Sequence, residues 1–457
     1  MLHHSVRHHR FSRPRLARLT SLLLGSAAVS ATLAWASVHI RLESSVPEAG
    51  AVLTTAPEHL ELRFSARVDQ ALSSVTLVTP ADDSLSVSME SDDADGRVLV
   101  GSVGDLMDGE YLVLWKTVSA DGHPVSGEFT FTLSRIPAGT TDTAEVAGTA
   151  GTGAVDTVEP VDSGHQPVAA EPGSAGAALT PSVSAVLLAG LGLICLLGFA
   201  GLLWHIGSLP LLTEPWVGRT VEALGWSALL LLAADLARWL WNVIPPGTGL
   251  SGLTAALATR TGLVELSTIG LVALALVFLH RKGRAAAGLA LASVLIGAAA
   301  GHTATISPLI TMPANAVHLG AVSIWLGGLL LLVLVPAGPT DGSGAWRFAD
   351  VARAVSAAAL LSVVLIAASG IIQSVWLVGD IAAFTGTAYG RGVLAKWVGL
   401  AVLIGFGALH RFRVMPALER DGDGRGLRRT VRLETIVMLA VVMLAAWLAR
   451  VSPPSAH

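Results

Sequence analysis

The stretch SVSAVLLAGLGLICLLGFAGLLW, Ser182–Trp204, runs for 23 residues without an acidic or basic side chain. A helix rises about 1.5 Å per residue, so a run of this length can cross about 30 Å of hydrocarbon. Further apolar stretches follow at Val221–Val243, Thr261–Leu279, Ala285–Thr303, Ala314–Val335, Val351–Leu377, Gly392–His410 and Leu433–Arg450. The pattern predicts an α-helical polytopic membrane domain of eight transmembrane helices over residues 180–452, with a short outer tail at 453–457. Composition agrees. The 457 residues are 52% hydrophobic and 14% charged, and mean hydropathy is +0.65. Soluble chains carry about 25% charged residues. Cys195 is the only cysteine, which excludes an intrachain disulfide and any cysteine-built zinc site. A net charge of −4 gives no case for nucleic acid as a partner.

Upstream, the character changes twice. Residues 1–36 read as a signal peptide: Arg7, Arg10, Arg13, Arg15 and Arg18 precede an apolar run, and Ala34-Trp35-Ala36 is a small-x-small cleavage site. Residues 37–136 read as all-β. Leu60, Leu62 and Phe64 alternate with Glu61 and Arg63; Val75 and Leu77, Tyr111, Val113 and Trp115, and Phe129, Phe131 and Leu133 repeat the period. Such alternation puts one face in a core and the other in water. Turn signals at Pro80-Ala81-Asp82-Asp83, Asp95-Gly96, Asp108-Gly109 and Asp121-Gly122 separate these runs, as in a β-sandwich or small barrel. Residues 137–179 have no Lys or Arg and are rich in Ala, Gly, Thr and Pro. They read as a flexible, weakly acidic linker.

Basic residues orient the spans. Arg281, Lys282 and Arg284, then Arg347 and Arg353, then the group from Arg411 to Arg432 all fall on one side if the β-domain is outside. The expected location is the cytoplasmic membrane, multi-pass, with the β-domain and the C-terminus extracytoplasmic and the lipid bilayer as partner. In this orientation the ionisable residues within spans gather near the outer surface. Asp235 and Arg238 lie three apart on one face and can pair. Glu265, His302, His318 and Lys396 sit at similar depth, with Met312 in the loop between the two histidines. Charged groups in hydrocarbon normally face a bundle interior and mark a pathway. Asp235–Arg238 reads either as a satisfied pair or as part of such a pathway, and Glu265 either joins it or reaches to the interface. Imidazole with thioether suits copper; imidazole alone suits copper, zinc or haem iron. His205, His280 and His410 fall at inner ends, where an interfacial role is expected.

In the outer domain, Asp121 and His123 flank a glycine, and His39 lies close to the mature N-terminus. Nitrogen and carboxylate ligands favour Cu(II); by spacing alone, Asp121-Gly122-His123-Pro124 is a turn. The run Val118-Ser119-Ala120-Asp121-Gly122-His123-Pro124, with Gly127 and Phe129-Thr130-Phe131, resembles the CopC copper-binding domain. So does His39-x-x-Leu42-x-x-Ser45-x-Pro47-x-x-Gly50-Ala51-Val52-Leu53. Gly301-His302, His318 with Trp325-x-Gly327-Gly328, Arg347-Phe348, Ser369-Gly370 and Thr387-x-Tyr389-Gly390-Arg391-x-x-x-Ala395-Lys396 resemble CopD. The whole chain thus resembles the fused CopC–CopD proteins of the YcnJ type. The resemblance implies an immunoglobulin-like outer domain that binds copper through His39, Asp121 and His123, and an eight-span partner linked to copper uptake or resistance. Cleavage after Ala36 leaves Ser37-Val38-His39, itself a Cu(II) chelate; cleavage after Val38 puts amine and imidazole on one residue. With only Met89 and Met107, the domain has too few thioethers for a Cu(I) cluster, so the outer site is expected to take Cu(II) alone. His302 and His318, with Met312, form the candidate membrane copper site. No G-x-x-x-x-G-K-[ST] run is present, which removes a nucleotide as partner, and no reductase motif appears. The chain reads as a non-enzymatic copper transport protein. Alternatives are a membrane redox protein whose histidines hold haem, and a non-transporting copper buffer or sensor.

Overall fold

A computed structural model of the chain describes residues 40–92, 95–118, 124–135, 182–208, 215–301, 306–335, 348–421, 425–451 and 453–454. The expected signal peptide and linker, and with them His39, Asp121, His123 and His302, lie outside the described residues. The chain divides into a β unit and a helical unit.

The β unit has strands β1 (Leu42–Val46), β2 (Val52–Leu53), β3 (His59–Phe64), β4 (Ser74–Val78), β5 (Ser84–Val87), β6 (Glu90–Ser91), β7 (Val98–Ser102), β8 (Gly109–Val118) and β9 (Pro124–Leu133). They form two sheets, in the orders β1-β3-β7-β6 and β2-β9-β8-β4-β5. The registered pairs are antiparallel, except that β2 runs parallel to β9 with Val52 opposite Thr132. The period-2 residues face inward as their spacing requires: Leu60, Leu62, Phe64, Tyr111, Val113 and Phe131 are all buried between the sheets. Phe64 meets Trp115 edge-on at 5.4 Å between centroids, and Tyr111 stacks on Phe131 at 5.2 Å. Gly127 on β9 makes room for the Trp115 indole, since a Cβ there would stand 2.5 Å from Cζ2. Trp115 and Gly127 lie on the two strands that flank the Asp121–His123 segment, so this contact fixes the ends from which that segment is held.

The helical unit comprises α1 (Val183–Ser208), α2 (Pro215–Val243), α3 (Gly249–Ala258), α4 (Arg260–Phe278), α5 (Gly283–Gly297), α6 (Pro308–Leu334), α7 (Phe348–Val378), α8 (Ile381–Gly386), α9 (Ala388–Leu409), α10 (Met415–Asp421) and α11 (Arg425–Leu448). Among the described residues, seven helices are long and apolar enough to cross a membrane: α1, α2, α4, α6, α7, α9 and α11. Of the eight expected spans, Ala285–Thr303 is the one not among them. There α5 ends at Gly297 after 15 residues, or about 22 Å. The chain then tightens: Ala299 N–H donates to the Ile296 carbonyl and Ala300 N–H to that of Gly297. Gly301 takes φ of +75°, a left-handed turn that ends helical growth. Asn315 of α6 donates to the Ala298 carbonyl at 2.9 Å and closes that end. A second irregularity joins α9 to α10, where His410–Val414 form a π turn. Pro416 has no N–H to return to the carbonyl four residues back, and the wide turn precedes it.

Helices α1 and α6 are the most enclosed of the seven. They touch backbone to backbone: a Cβ on Gly201 would collide with the Ser323 carbonyl, and one on Gly327 with the backbone of Gly201. Ser323 Oγ donates to the Leu197 carbonyl at 2.9 Å across the same contact. Around this crossing pack Leu197, Phe199, Leu202, Val272, Leu326 and Val431.

Two substitutions probe these contacts. Gly127→Ala should cost about 1–3 kcal/mol through overpacking against Trp115, read as faster hydrogen exchange in β8 and β9 of the full chain; unchanged exchange contradicts the packing. Gly327→Val should lower the thermal midpoint of the detergent-solubilised chain markedly, while the same change at Gly405, where a Cβ meets nothing within 4 Å, should not.

Candidate functional site

In the β unit the described residues next to the expected ligands in sequence are tied into the sandwich. Ile40, which follows His39, is buried in the core. Arg41 N–H donates to Ser65 Oγ at 3.0 Å, and Ser65 N–H returns a bond to the Arg41 carbonyl. At the end of β8, Thr117 is buried and its hydroxyl lies 2.7 Å from Ser73 Oγ. Burial also pushes the Lys116 ammonium below its ordinary value. His39, Asp121 and His123 thus adjoin segments tied into the sandwich.

In the helical unit His318 of α6 points at α7. Its Nδ1 is 3.0 Å from Ser369 Oγ. That hydroxyl donates to the Leu365 carbonyl at 2.6 Å, so its one hydrogen is committed and the ring must donate from Nδ1. The hydrogen-bond network therefore assigns Nε2 as the lone-pair nitrogen, the form in which imidazole ligates metal. Gly370 leaves the ring space: a Cβ there would lie 3.8 Å from His318 Cε1 and 3.7 Å from the Trp397 ring. Trp397 is held by a bond from Nε1 to Ser374 Oγ at 3.3 Å. Lys396, beside Trp397 on α9, is close enough for its charge to act on His318. The sequence-read pieces Ser369-Gly370 and Lys396 thus converge on His318.

Met312 does not join them. It is 0% exposed, packs with Val264 and Ala299, and its sulfur lies 2.8 Å from Arg260 Nη2. Six residues separate it from His318, which places the two on different faces of α6. Among the described residues no group of three His, Cys, Asp or Glu side chains could hold a metal ion.

Asp235 pairs with Arg238 as its spacing predicts, at 2.8 Å. It also takes Arg450 from the end of α11, at 2.9 Å. Glu265 of α4 lies within electrostatic reach of Asp235 and Arg450. The four form a balanced set of two carboxylates and two guanidinium groups.

Sequence reasoning missed a second polar group. Glu434 of α11 is buried, with Oε1 accepting from Trp325 Nε1 at 3.1 Å and Oε2 lying 3.2 Å from His410 Nδ1. His205 of α1 is buried too, its Nε2 2.9 Å from the Ile324 carbonyl. Neither His205 nor His410 is the interfacial side chain expected of it. Glu434 adjoins Leu433, the expected start of the last span, so apolar content alone gives no signal for it; α11 begins at Arg425, which carries Glu434 about two and a half turns into the helix.

Comparison with known proteins bears on both units. The family model for the CopC domain matches residues 42–134, and that for copper resistance protein D matches residues 349–448. The chain is 25% identical over 437 residues to copper transport protein CutJ of Bacillus subtilis, covering 89% of this chain and 73% of that one. It is 30% identical over 123 residues to copper resistance protein C of Escherichia coli, covering 25% of this chain and 97% of that protein. The crystal structure of PcoC, a methionine-rich copper resistance protein from Escherichia coli, shares 32% identity over 21% of this chain and all of that one, with a TM-score of 0.19. A CopC-like β-sandwich and a CopD-like polytopic helical unit stand in one polypeptide, and through its sandwich the chain belongs to the CopC family.

Proposed function

We propose that this chain captures Cu(II) outside the cytoplasmic membrane and moves copper across that membrane through its helical unit. The observation that carries the reading is the joining of the two copper-family regions in one chain, with similarity to a copper transport protein along 89% of its length. His39, Asp121 and His123 are the proposed Cu(II) ligands. His39 adjoins the core residue Ile40, and the other two adjoin the pair β8 and β9.

In the helical unit the proposed receiving ligand is His318 Nε2, freed by the bond that Nδ1 makes to Ser369, with His302 as its partner. Met312 is left out of this set, because its sulfur is engaged with Arg260. The proposed topology keeps the β unit and the C-terminus outside and uses α5, extended by its tightened turns, as the eighth crossing. Residues 137–179 serve as the tether that raises the local concentration of one unit around the other.

Two experiments test this reading. In the mature full-length chain, His39→Ala should weaken Cu(II) binding at least tenfold in a competition titration; undiminished affinity overturns the outer site. In a copper-uptake assay His318→Ala should abolish uptake. Ser369→Ala should reduce it by about 10–100-fold, the usual effect of losing a group that orients a ligating histidine. Normal uptake in both variants removes His318 from the path.

A further inference from the structure

Glu434, His410, Trp325 and Thr430 form a closed hydrogen-bonding group that the copper reading does not use. The Glu434 side chain is 3% exposed and the His410 ring 12%. Glu434 Oε1 is satisfied by Trp325 Nε1. Oε2 lies 3.2 Å from His410 Nδ1, yet no described donor is aligned on it. On the far side of the ring, Nε2 is 2.8 Å from Thr430 Oγ1. That hydroxyl already donates to the Leu427 carbonyl at 2.9 Å. A hydroxyl has one hydrogen, so Thr430 accepts from the ring and Nε2 carries the N–H. In a neutral ring, Nδ1 then carries a lone pair 3.2 Å from a carboxylate oxygen, though not aimed straight at it. Two lone pairs at that distance repel, and burial strengthens the repulsion. One proton between them removes it, whether it rests on Nδ1 or on Oε2.

We infer that His410 and Glu434 form a proton-binding site inside the helical unit, holding one exchangeable proton shared between Nδ1 and Oε2. The proton enters from and returns to solvent, and no bond other than N–H or O–H is made or broken. The π turn that begins at His410 fits this role, since such widened turns recur at functional positions.

The neighbouring charges do not take the proton's place. From α1 the facing titratable group is His205, held by the Ile324 carbonyl. From α6 it is His318, two turns away along the helix and bonded to Ser369. From α9 it is Lys396, 14 residues from His410, or about 21 Å along the axis. From α7, Asp350 and Arg353 pair with each other at 2.6 Å and are exposed. Arg411, Arg413 and Arg420 are exposed, as is Arg432. Arg428 donates to the Val335 carbonyl. Among the described side chains Glu434 is the buried carboxylate at this level.

Coupling of this proton to copper movement rests on the transport reading above; the proton site does not. Infrared difference spectra of the full-length chain in lipid nanodiscs, recorded between pH steps, test the site. The expected result is a pH-dependent signal, of carboxyl or imidazolium, that is lost in both Glu434→Gln and His410→Gln, because one proton serves both residues. A signal that survives in either variant, or its absence from the unaltered chain, overturns the site. Should those variants fail to fold, Trp325→Phe removes the Oε1 donor alone and should shift the same signal; no shift counts against the assignment. In liposomes, copper-driven pH change should fall at least tenfold in both variants. Copper uptake without pH change in the unaltered chain overturns the coupling. No copper uptake at all defeats the transport reading instead, and the spectra still decide the proton site.

Discussion

The helical unit depends on how closely α1 and α6 approach. In hydrocarbon the lipid tails are as apolar as leucine, so helices gain little from burying apolar faces against one another. What holds them is close packing and hydrogen bonds, and both need small residues at the crossing. Gly201 and Gly327 supply the space and Ser323 the bond to the Leu197 carbonyl. The consequences run along both helices. One turn beyond Gly201, His205 reaches the Ile324 carbonyl. The next residue of α6, Trp325, is thereby turned toward α11 and donates to Glu434. Seven residues earlier on α6, His318 meets Ser369 of α7. One helix thus carries two polar stations, and a single backbone contact sets the orientation of both.

The charges at the level of Asp235 are compensated locally. Asp235 takes two guanidinium groups, from its own helix and from α11, with Glu265 close by to balance the second. An isolated charge in the bilayer centre costs about 2.5–3.5 kcal/mol on insertion scales and more by other measures, so such pairing decides which polar residues a span can keep. The pairs also tie helix ends together. Arg450 follows α11 by two residues and reaches α2, a link between elements more than 200 residues apart in sequence. Removing one member leaves the other buried and uncompensated, which is costlier than replacing both.

Much of this was legible in the chain itself, and the failures have physical causes. Alternation at Leu60–Phe64, Val75–Leu77, Tyr111–Trp115 and Phe129–Leu133 put each residue on its correct face, because a strand's side-chain period is fixed by backbone geometry. Asp235 and Arg238 were readable as a pair because helical spacing is equally fixed. Arg450 was not, since nothing local links it to Asp235. The α5 stretch reads as a full span by apolar content, which does not register the end of the helix at Gly297 or the left-handed turn at Gly301. Met312 and His318 were grouped by nearness in sequence, yet positions six apart diverge on a helix. Glu434 carries no signal in the sequence because the hydrophobic run starts one residue before it, whereas the helix starts nine residues before it.

The two stations on α6 differ in the chemistry they offer a cation. At His318 the network leaves a bare nitrogen lone pair, which binds a borderline or soft metal without first releasing a proton. At His410 and Glu434 two lone-pair atoms lie 3.2 Å apart and the inferred proton sits on one of them, so a cation arriving there must displace it. Among the described residues Glu434 is the one fully buried carboxylate, so no second buried anion stands ready to neutralise an incoming ion. Release of one proton supplies that neutralisation: the site's formal charge is unchanged when a monovalent ion replaces it. Moving a net elementary charge across the membrane is worth about 2.3 kcal/mol per 100 mV, so exchange for a proton makes the step insensitive to the membrane potential, whereas uncompensated passage follows it. Glu434 of α11 meets α6 at Trp325, two turns from His318, so the two kinds of cation site lie on one helix at separate levels.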